Sequence, residues 1–394
     1  MTPRRELGVL LLLAAVQFVN VLEFMMVMPL GPYFLPALGI RPDQLGLVGA
    51  AYTITAAAAG LLGARFLDRF DRRSALAFSL IGLLVGTAAG GFARGLVSLL
   101  VARALAGAFG GPATTLTMSI VADLIPAERR GRALSLVMTA QSISSVMGLP
   151  TALWLAQLGG WRLPFFGVAG FGLVLVAVAV WLLPSFRGHL DIPSYAGPAL
   201  WRRRTVLFSW TTTAVVMASG FAILPFFPAY LVGNLGFPRE RLSLMYLAGG
   251  LTSLFILRRV GRAVDRFGST RIGTVGSLLF ALLVALVFGF ELRPLPVIAF
   301  YVTFAIALSL RNVAYQVLAS KVPAAPERAQ FQSIQSATQH VAMALGGAIG
   351  SALTSTAANG ETLVGMPRVA ALSVVLCAIV PLLLRRVERG VMRP

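Results

Sequence analysis

The sequence predicts an all-α integral membrane protein with twelve transmembrane helices in two pseudo-symmetric six-helix bundles. Hydrophobic residues make up 57% of the 394-residue chain and charged residues only 12%, against roughly 25% charged residues in soluble proteins. The apolar runs reach the length of about 20 residues that a helix needs to cross a bilayer. In addition, the second half of the chain resembles the first.

The internal repeat is clearest in a charged stretch between two apolar runs. This stretch reads GARFLDRFDRR at 63–73 and GRAVDRFGSTR at 261–271. Asp68 and Asp265 are 197 residues apart, which is half of the 394-residue length. The same offset relates Arg69 to Arg266, Tyr33 to Tyr230, Leu38 to Leu235, Gly39 to Gly236, Asp43 to Glu240 and Leu45 to Leu242. The pattern indicates a tandem duplication.

Twelve apolar runs are the predicted spans. They cover 7–35, 45–66, 74–92, 96–122, 133–157, 164–183, 205–232, 242–257, 272–290, 295–319, 330–356 and 369–384. The first bundle is expected in residues 1–183 and the second, with a short cytoplasmic tail, in 205–394. The polar segment 184–204 between them contains Pro and Gly and is too short for a soluble domain, so we expect a cytoplasmic linker.

The distribution of basic residues predicts the orientation. If the N-terminus is inside, 24 of the 33 basic residues fall in inner segments and 7 in outer ones. This bias predicts that both termini lie in the cytoplasm, and we expect the chain in the inner (plasma) membrane of the cell. It also explains the net charge of +19 without nucleic-acid binding. Arg4 and Arg5 resemble the start of a signal peptide, but the run that follows is too long and lacks a cleavage site.

Several chemistries find no support in the sequence. There is no phosphate-binding glycine loop, no metal-ligand spacing and no nucleophile with a matching base. Two histidines and the single cysteine, Cys377, leave little for catalysis. ATP-driven transport would need a nucleotide-binding domain, for which the sequence offers no phosphate-binding loop. We therefore expect no cofactor, no metal and no enzymatic activity.

The charged loops carry a resemblance to a known family. Asp68, Arg69, Arg72 and Arg73 fit the first-loop pattern of the major facilitator superfamily, although Asp71 replaces its second glycine. The second half keeps Gly261, Asp265, Arg266 and Gly268. The fourth-span pattern Arg103-x-x-x-Gly107 resembles the buried-arginine motif of the same family.

A further motif narrows the resemblance to the twelve-span drug:proton antiporters. Gly148-x-Pro150 in the fifth span is similar to their antiporter motif, but Thr151 and Ala152 follow where more glycine is usual. The resemblance implies the major facilitator fold. It also implies a conformational latch formed by Asp68, Arg69, Arg72 and Arg73 and, in the second half, by Asp265 and Arg266. The alternative is that these basic loops only fix the orientation of the chain.

Charged residues inside predicted spans are candidates for proton coupling. Glu23 is the one acid well inside a span, and an ionisable residue in hydrocarbon indicates a functional site. At 1.5 Å per residue, Glu23 lies about 24 Å from the inner edge and Arg103 about 10 Å from the outer edge. In a hydrocarbon core about 30 Å thick, both residues lie in the outer half. We therefore expect Glu23 and Arg103 to face each other and to couple proton binding to transport. A static ion pair is the alternative.

Polar residues in the tenth and eleventh spans are candidates for substrate contact. Arg311 has no acid at matching depth, and Asn312, Gln335 and His340 belong to the same polar patch. If this patch binds substrate, Arg311 favours an anionic or zwitterionic group. The alternative is that these residues only satisfy one another. Further candidates for the cavity wall are Gln17, Asn20, Phe24, Met138, Gln141 and Phe221.

The leading interpretation is a proton-coupled secondary transporter that exports small amphipathic or hydrophobic molecules by alternating access. Its expected partners are a small-molecule substrate, protons and the lipid bilayer, and it is expected to act as a monomer. One alternative is a transporter of the same fold for a sugar, an amino acid or a lysolipid, without obligatory proton antiport. Another is a membrane receptor or assembly protein that transports nothing.

Overall fold

The computed structural model describes residues 3–66, 70–184, 200–293, 296–324 and 327–392. Within these ranges the backbone is mainly α-helical, apart from a short antiparallel hairpin of β1 (Ser355–Thr356) and β2 (Leu363–Val364). The helices are α1 (Pro3–Met26), α2 (Gly31–Leu38), α3 (Leu45–Phe66), α4 (Arg72–Gly91), α5 (Leu96–Leu124), α6 (Ala127–Ile143), α7 (Leu149–Gly159), α8 (Leu163–Leu182), α9 (Arg204–Phe221), α10 (Phe227–Gly233), α11 (Leu242–Phe267), α12 (Ser269–Val284), α13 (Val297–Ser320), α14 (Arg328–Leu353) and α15 (Met366–Met392). They confirm the predicted fold class.

The first predicted span is not one helix. A continuous helix over 7–35 was the expectation, but α1 ends at Met26 and a turn precedes α2. Pro29 and Pro32 explain the break, because proline lacks the N–H of the helical hydrogen bond and its ring clashes with the preceding turn. The seventh span breaks between α9 and α10 for the same reason, at Pro225 and Pro228.

Nine helical spans in the described ranges are long and apolar enough to cross a membrane. The other three predicted spans correspond to α9 with α10, to α11 and to α14. Each departs from a long, uniformly apolar helix. The seventh span is broken by its turn, the end of α11 carries several charges that include Arg258 and Arg262, and α14 begins with repeated glutamines.

The backbone repeats at the positions that the sequence repeat relates. Gly39 and Gly236 both adopt left-handed conformations, with φ of 61° and 67°, which glycine tolerates because it has no Cβ. Each is followed by a 3₁₀ turn, at Pro42–Gln44 and at Arg239–Arg241. The next helices, α3 and α11, then begin at the equivalent residues Leu45 and Leu242.

The chain forms two compact units. The first comprises Met1–Ile40 and Ala51–Ser194, and the second comprises Arg41–Ala50 and Tyr195–Pro394. In the first unit α4 packs against α5 and α8, and α1 packs against α6. In the second unit α9 packs against α14 and α15, while α13 packs against α11 and α12. Helix α3 thus begins in one unit and continues in the other.

The segment 41–50 is held within the second unit by the hairpin. Thr356 of β1 donates a hydrogen bond of 2.8 Å to the carboxylate of Asp43, which also forms an ion pair of 3.1 Å with Arg41. The hairpin itself is fixed by Asn234, whose amide donates to the Leu363 carbonyl at 2.8 Å and accepts from the Leu363 N–H at 2.9 Å.

Small residues allow the close packing of α5 against α3. A Cβ added at Gly107 would collide with the backbone carbonyl of Tyr52, and one at Gly111 would collide with that of Ala56. Small residues at this spacing are typical of helix contacts in membranes, where backbones approach closely. Gly60 on α3, in contrast, has nothing within 4 Å of such a Cβ.

We predict that Gly107→Ala destabilises the protein by about 1–3 kcal/mol, because the added methyl group forces α5 away from the Tyr52 carbonyl. Gly60→Ala is the matched control, and it should leave stability unchanged or raise it by about 0.5–1 kcal/mol because alanine favours helices. Unfolding of the purified protein in detergent measures both. Equal stability of the two variants would contradict the close contact.

Candidate functional site

Glu23 of α1 and Arg103 of α5 form an ion pair inside the first unit. Their side chains are 1% and 2% exposed. Nη1 of Arg103 donates to Oε1 of Glu23, and it also lies 3.5 Å from the backbone carbonyl of Glu23. Two opposite charges withdrawn from water are stable only when they are paired closely. The fold therefore brings together the two charges whose depths matched in the sequence.

Tyr52 of α3 completes this group. The centre of the Arg103 guanidinium lies 4.7 Å from the centroid of the Tyr52 ring, within the range of a cation–π interaction. Phe24, a predicted wall residue, packs against Tyr52, with the two ring centroids 5.1 Å apart. Tyr52 was not predicted as a site residue, although a tyrosine in an apolar span is itself an indication, because its buried hydroxyl needs a partner.

The partner of the Tyr52 hydroxyl is Asn20, one turn before Glu23 on α1. The hydroxyl donates to Oδ1 of Asn20 at 3.1 Å. The Asn20 amide donates to the Gly110 carbonyl at 2.9 Å and to Oγ1 of Thr114 at 2.6 Å. Asn20, proposed from sequence as a substrate contact, therefore links α1, α3 and α5 through its own side chain.

The remaining predicted wall residues of the first unit lie in different environments. Oε1 of Gln17 is buried without a hydrogen-bond partner among the described residues. Gln141 is exposed, and Met138 is 55% exposed. In the second unit Phe221, at the end of α9, is partly buried. Their contact with substrate stays a prediction.

Arg311 of α13 is buried in the second unit without an acid beside it. Its side chain donates to Oγ of Ser219 at 3.1 Å and lies 3.6 Å from Sγ of Cys377. The guanidinium centre lies 4.2 Å from the centroid of the Phe280 ring. In the described part of the chain Arg311 has no ion-pair partner, and its Nε has no hydrogen-bond partner. Neutral dipoles and an aromatic face thus replace a carboxylate.

The other polar residues of the second unit form separate contacts. Gln335 is 5% exposed and donates to Oγ1 of Thr213 at 2.7 Å. Oδ1 of Asn312 is buried without a partner among the described atoms. His340 is partly buried, and its Nδ1 lies 2.8 Å from the Ser336 carbonyl. A carbonyl only accepts, so Nδ1 carries a proton and Nε2 remains available.

The latch residues are only partly described. Asp68 and Arg69 lie outside the described residues. Arg72 is 8% exposed, and its Nε donates to Asp123 of α5 at 3.3 Å. The carboxylate at the start of α4 is that of Asp71, which accepts from the backbone N–H of Arg73 at 3.4 Å. Asp123 was not predicted as a site residue, because its position near the end of the fourth span did not reveal which loop it faces.

The equivalent loop of the second unit is exposed. Asp265 and Arg266 both lie on the surface near the end of α11. Arg266 lies over the ring of Phe267, at 5.2 Å from the centroid. Among the described residues, Asp265 has no ion-pair partner, so its place in a latch stays a prediction.

Gly148 and Pro150 lie where the fifth span changes its winding. A π-helical segment, Ser144–Gly148, joins α6 to α7. Pro150 occupies the first turn of α7 and has no N–H to bond to the preceding turn, which accounts for the local irregularity. A Cβ at Gly148 would come within 2.8 Å of Leu22 on α1. The motif therefore sets a close contact between the fifth and first spans.

No group of three or more His, Cys, Asp or Glu side chains in the described ranges could hold a metal ion.

Comparison with known proteins defines the class. Residues 13–289 and 209–393 match the Major Facilitator Superfamily. A bacterial homolog of the human lysosomal transporter Spinster, in an inward-facing and occupied conformation, is 18% identical with a TM-score of 0.76 and covers 99% of this chain and 98% of its own. A D-xylose–proton symporter is 16% identical (TM-score 0.75, 96% of this chain and 97% of its own). The human organic anion transporter MFSD10 is also 16% identical (TM-score 0.68, 98% and 100%).

The fold and these matches define a multi-pass membrane transporter. The chain belongs to the Major Facilitator Superfamily. At this level of identity the solved structures establish the fold, and the narrower resemblance to drug:proton antiporters stays a prediction.

The two buried arginines should respond differently to substitution. Arg311→Met removes a charge that has no carboxylate partner among the described residues, so we predict unchanged or increased thermal stability in detergent without substrate. Arg103→Met leaves Glu23 buried and unpaired and should destabilise by about 3–5 kcal/mol. Thermal unfolding of both purified variants is the measurement. A loss with Arg311→Met as large as that with Arg103→Met would mean that Arg311 is mainly structural.

Proposed function

We propose that this protein is a proton-coupled secondary transporter that exports small amphipathic or hydrophobic molecules by alternating access. The observation that carries the proposal is the buried ion pair of Glu23 and Arg103. A buried carboxylate in a membrane transporter is a natural site for a proton. The basic inner loops support a position in the inner (plasma) membrane with both termini in the cytoplasm.

The ion pair supplies a coupling mechanism. While Glu23 is ionised, it holds α1 against Arg103 of α5. A proton that binds to the Glu23 carboxylate removes its charge, and the guanidinium then loses its counter-ion in a medium of low dielectric constant. The conformation that keeps the pair closed is thereby disfavoured, and one that brings Arg103 closer to water or substrate is favoured. Proton binding and conformational change are linked through one contact.

Tyr52 and Asn20 would limit how far the contacts around the ion pair change when Glu23 binds a proton. The Arg103 guanidinium also lies over the Tyr52 ring, in an interaction that does not require the charge of Glu23. The hydrogen bonds of Asn20 to Gly110 and Thr114 hold α1 to α5 one turn from the pair. A proton on Glu23 therefore weakens one contact between these helices and leaves a neighbouring one intact.

The predicted wall residues suit a substrate of variable shape. Met138 and Phe221 supply adaptable apolar surface, as in many promiscuous sites. Gln17 and Gln141 offer amides that can bond to polar groups of different geometry. The latch residues, with the ion pair of Arg72 and Asp123, would stabilise one conformation of the transport cycle, and the protein is proposed to work as a monomer.

A second candidate is a carrier of organic anions with the same fold. Arg311 favours it, since a buried guanidinium without a carboxylate partner in the described chain can be neutralised by a substrate anion. The similar human protein is named as an organic anion transporter. In this candidate Asn312, Gln335 and His340 would bond to the same substrate, and proton antiport would not be required.

The test begins with a panel of solutes in proteoliposomes, with and without a pH gradient. For a transported solute, Glu23→Gln should abolish pH-driven accumulation, because an amide cannot take up the proton. Exchange of labelled for unlabelled solute, which needs no net proton movement, should persist. Glu6→Gln on the same helix is the matched control, since Glu6 pairs with the exposed Arg129.

The results separate the candidates. Transport that is driven by the pH gradient and persists unchanged in Glu23→Gln would exclude Glu23 as the coupling carboxylate. Transport restricted to anions, lost in Arg311→Met and independent of the pH gradient, would favour the organic anion carrier. Absence of flux for every solute, together with normal folding, would favour a protein that does not transport.

A further inference from the structure

A basic cavity of about 300 Å³ lies at one end of the second unit. Its lining comes from the start of α9 and the end of α15, and it comprises Arg204, Thr205, Phe208, Arg386, Arg389 and Gly390. None of these residues is acidic. Glu388, the acid on the same turn of α15, lies against Gly268 instead.

The positive charge of this cavity is not balanced within the described chain. Arg203, just before α9, is neutralised by Glu327 at 2.6 Å. Arg204 and Arg386 have no ion-pair partner among the described residues. Moreover, α9 begins at Arg204, and the positive end of a helix dipole disfavours a cation there. Arg389 is better placed, because it lies in the last turn of α15.

The surroundings of the cavity match the membrane–water interface. Trp201, three residues before Arg204, is 59% exposed, and tryptophan is enriched at the level of the lipid headgroups. The guanidinium centre of Arg386 lies 5.2 Å from the centroid of the Phe208 ring, so its planar fork is oriented by the aromatic face. Arginine forks match the oxygens of a phosphate group.

We propose that this cavity binds a phosphate-bearing anion through Arg204 and Arg386, with Arg389 as a third contact. Such an anion can be the headgroup of an anionic phospholipid, which basic pockets between membrane helices are suited to hold, or free phosphate. The site is separate from Glu23, Arg103 and Arg311, and it does not depend on the identity of the transported solute.

The lipid arm of the test uses the purified full-length protein in detergent and titrates it with phosphatidylglycerol, with phosphatidylcholine as the zwitterionic comparison. Binding is followed by native mass spectrometry. Arg204→Gln with Arg386→Gln should weaken phosphatidylglycerol binding roughly thirtyfold, from the loss of two phosphate contacts. Arg386→Lys, which keeps the charge and loses the fork, should give an intermediate loss.

The matched control is Arg202→Gln with Arg385→Gln. Arg202 and Arg385 are exposed, as are the pocket arginines, and they are close neighbours of them in sequence but do not line the cavity. This control removes the same net charge but leaves the cavity lining intact. Its affinity for phosphatidylglycerol should therefore fall less than about threefold. Equal losses in the two double variants would overturn the proposal, since the effect would then come from the overall charge.

The second arm replaces the lipid by inorganic phosphate. Phosphate that protects the wild-type protein against thermal unfolding, fails to protect the pocket variant and displaces phosphatidylglycerol would identify free phosphate as a sufficient ligand. Phosphatidylglycerol binding that phosphate does not displace would identify the lipid. Binding in neither arm would overturn the proposal. A normal unfolding temperature of the pocket variant without ligand shows that it is folded.

Discussion

The ion pair of Glu23 and Arg103 places two formal charges where a bilayer offers no water, and this constraint recurs through the molecule. In the first unit the charges are neutralised by each other and held by Tyr52 and Asn20. In the second unit the charge of Arg311 is met by Ser219 and by the Phe280 ring. The contact between the opposite charges of Glu23 and Arg103 can be weakened by a proton. The neutral partners of Arg311 leave a net positive charge that an anion can neutralise.

The same lack of water governs the backbone. Inside a membrane each N–H and C=O must be bonded within the protein, so helices dominate the described chain. Where proline removes a donor, the chain turns, as between α1 and α2, or winds locally as a π-helix, as before Pro150. Glycines such as Gly107 then bring neighbouring backbones into contact. Two of these features lie close to the charged pair in sequence, because α1 ends three residues after Glu23 and Gly107 lies four residues after Arg103.

Much of this arrangement was accessible from the sequence because hydropathy and repeats are properties of the linear chain. The twelve spans followed from the lengths of apolar runs, and the offset predicted that Gly39 and Gly236 are equivalent, as their matching left-handed conformations show. The matched depths of Glu23 and Arg103 depended only on the rise per residue. Tyr52 and Asp123 were missed because their contacts depend on the rotation of each helix about its axis. The breaks at Pro29 and Pro225 were missed because hydropathy continues across them.

The guanidinium of Arg311 has no ion-pair partner in the part of the chain that the structure describes, and this has an electrical consequence. A unit charge that crosses the full membrane potential gains or loses about 2.3 kcal/mol for each 100 mV. Arginine keeps its charge, so any displacement of α13 along the membrane normal involves work, done by that field in one direction and against it in the other. A bound anion that moves together with Arg311 would cancel the work. If Arg311 contacts the substrate as proposed, the charge of the substrate decides whether the resting membrane potential favours, opposes or does not affect that motion.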